Sequence, residues 1–379
     1  RGVGFAPLEG NPSDLMSESS GAMALSMQGG AMRGIAATIR FLHAAQAEYA
    51  RMLDSAVSAC ASARAIVVGL PSTWGVSIAE ALRVPCIFCM LQPWGRTRSF
   101  PSPLLPVQGS IGRLYNAATY RAVEQAMWLP WRRLINKWRR GTLGLPAMPA
   151  AGPWASLYSS GFACMYGFSP SVLPPPADWP ASHQVTGYWF LEPGVSWEPG
   201  PDLERFLICG SPEGRPLSIG FGSMGMAEDA LAMILEALEK ADARAVVFSG
   251  GLRPIQAGSA SSRLYLADDI PHGWLFPRVS AVVHHGGAGT TAEGLRAGVP
   301  SIIISGAADQ YFWGKRVAIL GAGPRPLIRR RLTAAALATA FLQAREDGRL
   351  RDGARRVGEL IRAEDGVAAA VSALLPLLG

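Results

Sequence analysis

Apolar residues recur at helical spacing over residues 21–62, most clearly in "IAATIRFLHAAQAEYARMLDSAVSAC". A short continuous apolar run follows, "RAIVVGLP" (64–71), of the length of a buried strand. The stretch "GVSIAEALRVPCIFCML" (75–91) reads as a short helix and then a second strand. Strand–helix–strand alternation of this kind predicts a parallel sheet covered by helices. The middle of the chain is different. Residues 92–110 are rich in Pro, Ser and Arg. Residues 111–140 predict one long amphipathic helix, broken or kinked at Pro130. The proline-dense "CMYGFSPSVLPPPADWP" (164–180) reads as a surface excursion, and "FLEPGVSWEPGPDL" (190–203) as a linker. Alternation then resumes: strands at 215–225, 244–251, 263–271, 278–289 and 299–307, helices at 227–241 and 290–297, and a helical tail from 333. The pattern predicts two α/β halves, 1–194 and 195–379, without an internal repeat, and the last helix is a candidate to pack back on the first half.

Composition narrows the class. The 379 residues are 49% apolar and 17% charged, enough to build large cores and too apolar for disorder. No apolar run approaches the roughly 18–20 residues of a membrane helix, so a soluble or peripheral protein is expected. The net charge of +7 is partly clustered in "WRRLINKWRR" (131–140) and "RPLIRRR" (325–331). Such clusters suit a solvated basic face, nucleic acid, an anionic membrane surface or an anionic substrate. The five cysteines, an odd number with four in apolar contexts, suggest reduced buried thiols. Cys86 and Cys89 form a CxxC inside a strand-like run with no second pair, which does not support a zinc ribbon. The chain starts at Arg1 rather than Met, so targeting is not legible.

Three stretches could carry chemistry. "GFGSMG" (220–225) fits G-x-G-x-x-G after a strand. The next strand ends in glycines rather than an acid, so the motif reads as a turn bringing Ser223 and backbone N–H groups to a ligand, not as a dinucleotide site. "VHHGGAGTTAEG" (283–294) begins with paired histidines. Neighbours on a strand point to opposite faces, so His284 and His285 are poorly placed to share one metal ion. A Gly-rich turn running into a helix start instead suits a phosphate, with free N–H groups, the helix dipole and hydroxyls from Thr290 and Thr291. A plain tight turn remains open on these residues alone. Glu293, one turn on, could accept from a ribose diol or simply favour the helix N-terminus. "SGAADQYFWG" (305–314) sets Asp309 and Gln310 at a strand's C-terminal end, suited to hydroxyl groups.

Together, "VVHHGGAGTTAEGLRAGVPSIIISGAADQYFWGKRVAILGAGPRPL", "PWGRTRSFPSP", "INKWRRGTLGLP", "YGFSPSVLPPPADWP" and "VTGYWFLEP" resemble the family 1 glycosyltransferases of GT-B fold. The nearest likeness is to sterol 3-β-glucosyltransferases and their bacterial relatives. The resemblance implies two Rossmann-like domains, the C-terminal one holding a nucleotide sugar, usually UDP-glucose, and the N-terminal one the acceptor. It implies that His285 contacts the donor phosphates beside the Gly287, Gly289 and Thr290 backbone, with His284 packed. Glu293 would take the ribose, Asp309 and Gln310 the hexose, Ser223 the diphosphate, and the Ile270 backbone the base. The reaction would be inverting and without a metal or other cofactor, which agrees with the absence of Asp-x-Asp from the sequence. Expected partners are a UDP-sugar and a lipophilic hydroxylated acceptor such as a sterol, with no nucleic acid. The expected setting is cytoplasmic, with peripheral membrane contact through 128–140, basic groups toward headgroups and tryptophans at the boundary.

The family opens with a Gly-rich turn that carries the acceptor's base. The matching segment is expected upstream of Arg1, and Gly69 stands where plant-type relatives place an orienting Asp. No catalytic base is named, and a chain truly lacking that segment is expected to bind donor with little transfer.

Overall fold

The computed structural model describes residues 3–9, 31–105, 109–191, 197–208, 214–221, 228–248 and 262–378. Two compact units emerge: one from residues 1–89, 121–164 and 374–379, the other from 90–120 and 165–373. The expected junction at 194/195 falls outside the described residues.

A four-stranded sheet runs in the order β1-β2-β3-β4: Ile66–Val68, Cys86–Met90, Ala163–Tyr166 and His183–Val185. β1 and β2 are parallel, Ile66 opposite Cys86. The stretch expected as a surface excursion divides. Its first part, 164–173, is mostly interior, shares β3 and fully buries Tyr166, Phe168 and Val172, while the proline-dense 174–180 is mostly exposed. Their apolar side chains are spaced by small residues and proline, which hides a short strand from any periodicity test. The expected long helix is two, Arg113–Trp128 and Arg132–Gly141, with Pro130 in the break.

The second helix divides its residues between core and solvent. Ile135, Asn136, Trp138 and Arg139 face inward, while Arg132, Arg133, Lys137 and Arg140 face solvent. Trp128 and Trp138 are buried, so neither is available as an interfacial anchor. The Trp128 Nε1–H donates to the Ala150 carbonyl at 2.9 Å. Arg139 donates to both Glu80 carboxylate oxygens at 2.8 and 3.1 Å. Among the described residues no helix is long and apolar enough to cross a membrane.

The larger unit holds a six-stranded sheet in the order β10-β9-β8-β5-β6-β7: Leu327–Ile328, Ser301–Ser305, Val282–His284, Leu217–Gly220, Ala245–Phe248 and Leu264–Ala267. Every adjacent pair is parallel. Parallel strands covered on both faces read as nearly unbroken apolar runs, as "SIIIS" and "AVVF" do. Helices Glu228–Lys240 and Ala334–Glu346 close one face through Ile234, Leu238, Leu337 and Phe341. Leu203, Phe206, Leu275 and Phe276 cover the other. The chain lays β6 and β7 on one side of β5, then returns to place β8 on its other side. Strand order therefore reverses between β5 and β8, and a crevice opens outside their carboxyl ends, where ligands bind in such sheets.

Candidate functional site

"VHHGGAGTT" sits at that reversal, where Gly220 ends β5 opposite His284 at the end of β8. The turn demands glycine. Gly286 has φ +90°, and a Cβ there would lie 2.6 Å from Ile303 Cγ2 and 3.1 Å from the Gln310 carbonyl oxygen. A Cβ on Gly287 would lie 2.5 Å from His285 Nε2, so the imidazole lies directly over the start of the Ala288–Ala297 helix. Gly287 is the N-cap and no side chain caps the helix. Its first N–H groups and its positive dipole end are thus left for an anion.

The two histidines separate as expected. His284 is fully buried, and its Nδ1 accepts the Gly286 N–H at 3.1 Å. Burial, aided by the neighbouring His285 and His272, pushes it down to about 3, so it is neutral and braces the turn. His285 is partly exposed. Its pKa is lowered by burial and then by the Arg329 guanidinium. Its Nδ1 is buried with no protein partner, an orphaned polar atom of the kind a ligand satisfies. Thr290 is half-buried on the first turn, Gly289 is exposed beside it, and Glu293 is half-buried further along the helix. Thr291 is turned away: it is buried and its hydroxyl donates to the Gly287 carbonyl at 2.9 Å, so its expected part in the cradle is not met.

The next strand brings Asp309 and Gln310 to the same edge, since β9 flanks β8. Gln310 Oε1 accepts the Gly306 and Ala307 N–H groups at 2.8 and 3.1 Å, which shapes the loop. Asp309 is 8% exposed, and its Oδ2 accepts from Trp313 Nε1 at 3.0 Å. Burial raises its pKa, opposed by hydrogen bonds from Trp313, its own backbone and Gln92. At the other side of the reversal, the Ile270 side chain packs in the core, leaving only its backbone for a ligand. His272 stacks on Phe276 at 4.5 Å and meets Phe248 edge-on, making an aromatic wall beyond β6 and β7. Ser223 lies outside the described residues.

Sequence reasoning missed Gln92 and Arg329. Gln92 follows β2 and reaches Asp309 from far away in the chain. Arg329, just after β10, packs against Gly306, where a Cβ would lie 3.5 Å from Arg329 Cδ. It adds positive charge beside His285 and could have been suspected only from "RRR" following a strand.

The smaller unit holds a cavity of about 320 Å³, walled by Tyr49, Trp74, Trp128, Trp131 and Trp154. Leu70 and Pro71, in the turn that follows β1, also line it. Tyr49 and Trp131 stack at 4.3 Å and 21°. The volume lies in the range of small-molecule sites, and the walls suit a flat apolar ring system.

Residues 232–374 match the family model described as erythromycin biosynthesis protein CIII-like, C-terminal domain. Over 98% of its length the chain is 34% identical to a sterol 3-beta-glucosyltransferase of Emericella nidulans and 33% identical to one of Aspergillus clavatus. It spans about a quarter of those relatives, 26% of each. Among solved structures, the glycotransferase of kitacinnamycin aligns with a TM-score of 0.69 at 16% identity, covering 100% of this chain and 87% of that one. The glycosyltransferase SnogD from Streptomyces nogalater gives 0.59 at 21%, covering 100% and 86%. The glycosyltransferase VinC, solved in complex with dTDP, gives 0.59 at 19%, covering 98% and 86%.

Proposed function

We propose that this chain, which belongs with the GT-B glycosyltransferases, transfers a hexose from a nucleoside-diphosphate sugar, UDP-glucose first among them, to a hydroxyl of a sterol or similarly flat lipophilic acceptor. The observation that carries the reading is the uncapped helix start under His285 at the reversal between β5 and β8. A diphosphate there meets free N–H groups, a helix dipole and the Nε2 edge of the His285 ring. The acceptor hydroxyl oxygen attacks the anomeric carbon and releases its proton to solvent, the bond from that carbon to the diphosphate breaks, and configuration inverts. Charge developing on the leaving diphosphate is taken up by the helix start and by the Arg329 guanidinium, so the proposal needs no metal. Glu293 takes the ribose, and Asp309 with Gln310 the hexose. Burial raises the Asp309 pKa, and its carboxyl oxygens accept hydroxyl hydrogen bonds.

The aromatic cavity supports a lipophilic ring acceptor. A second reading, transfer to another natural product, is favoured by the match to an erythromycin-biosynthesis domain. Incubation with UDP-glucose and a panel of sterols and polyketide phenols, read by mass spectrometry, tests both. A hexosylated sterol supports the first and a hexosylated phenol alone the second. No hexosylated product with any acceptor would contradict both.

A further inference from the structure

The cavity of the smaller unit is apolar on its walls but not throughout. Ser77, on the Gly75–Leu82 helix, lines it and is fully buried. Its Oγ accepts from Arg139 Nη1 at 2.9 Å. Arg139 is itself almost wholly enclosed, its side chain 3% exposed. Every guanidinium nitrogen is engaged, with Nε donating to the Pro146 carbonyl at 2.9 Å and both terminal nitrogens donating to Glu80. One lone pair of the Ser77 oxygen is therefore occupied by a cation's proton, which leaves the hydroxyl its O–H to donate and a second lone pair. Among the described residues no hydrogen bond donated by the Ser77 hydroxyl is found.

A hydroxyl whose oxygen is bound by a guanidinium is polarised and donates more strongly. Facing aromatic walls with that proton unanswered, it carries the cost of a buried unmade hydrogen bond. We infer that the cavity recognises a flat lipophilic molecule bearing an oxygen acceptor, a ketone, ether or hydroxyl oxygen, which Ser77 Oγ–H anchors while the tryptophans sandwich the rings. Ser77 is then a specificity residue that separates oxygenated ring systems from plain hydrocarbons of the same shape. Arg139 is its positioning residue and touches no ligand. The inference deepens the acceptor half of the proposed function and rests on it. Binding is read without turnover, so the two fail separately.

The test uses the full chain, equilibrium dialysis, and two planar probes that differ by one oxygen, fluorene and 9-fluorenone. The ratio of their affinities, compared between wild type and Ser77→Ala, cancels their different solubilities. The ketone's advantage should fall about tenfold in Ser77→Ala, while fluorene binds as before, the effect of one hydrogen bond in an apolar site. Wild type alone provides a check independent of folding of the variant: fluorenone must bind it more tightly than water–octanol partitioning predicts relative to fluorene. An affinity ratio equal within about twofold in both proteins overturns the inference. So does the failure of wild type to retain either probe. A shifted ratio in a chain that transfers no sugar upholds the inference and sinks the proposed function instead.

Discussion

The helix-start cradle and the aromatic cavity are built on opposite plans. The cradle is backbone: two glycines, one turn and the first N–H groups of a helix, contributed by neighbouring residues of adjacent strands. The cavity is side chain: Tyr49, Trp74, Trp128, Trp131 and Trp154 gathered from a hundred residues of sequence, with Ser77 and Thr73 among its polar points. The first plan holds charge by geometry that only glycine permits. The second holds shape, and its chemistry can change one side chain at a time. Substitution should therefore be far more damaging in the cradle, and its effects there confined to the nucleotide.

The largest expected effect follows from the backbone. Gly286→Val places a side chain at φ +90° against Ile303 and should destabilise the fold by about 3–4 kcal/mol. Gly161→Ala in the cavity's unit, at φ +68° with nothing within 4 Å, should cost only about 1 kcal/mol. Urea unfolding midpoints compare the two, and equal losses would break the contrast.

Acid should act next, and in one unit. His183 is held down to about 4 and His284 to about 3, both chiefly by burial, and both lie in the unit that carries the cradle. Between pH 6.5 and 4 the unfolded chain binds protons that these neutral folded histidines refuse. Their contribution is thus complete above the unfolded value and lost as pH falls, on the order of 3 kcal/mol for a shift of His183's size. Unfolding midpoints at pH 7 and 4.5 measure it, and His183→Gln should flatten the slope.

Arg139→Met sharpens the cavity side. It removes the partner of Ser77 and Glu80, and because the Glu80 side chain is 44% exposed, water can replace part of what is lost. A loss of about 2 kcal/mol is expected, with UDP affinity unchanged. Smallest is Arg329→Gln, which should weaken UDP binding about two- to fivefold at low salt and less at high salt, since the side chain is exposed.

The same contrast explains what sequence could reveal. The cradle was legible because glycines, histidines and the helix start are contiguous; strand parity set His284 and His285 on opposite faces, and the family resemblance chose between them. Alternation gave away the six strands of the larger sheet nearly complete, apart from the two-residue β10. β3 was hidden because "ACMY" is four residues long and sits among prolines. Thr291 was misassigned because a helix-start threonine can bond outward or back to its own turn, and only packing decides. Trp128 and Trp138 looked interfacial because an amphipathic helix with aromatic residues presents the same pattern to a core as to a membrane. Gln92, Ser77 and Arg139 reach their partners across long sequence separations, and no local pattern encodes such contacts.

The central claim is that the uncapped helix start under His285 holds a nucleotide diphosphate. Calorimetric titration of UDP into wild type and His285→Ala, with fluorenone dialysis run in parallel, tests it most directly. The account predicts saturable UDP binding weakened at least about tenfold by the substitution, with fluorenone retention unchanged. Equal UDP affinity in the two proteins, or no UDP binding by wild type, would contradict it.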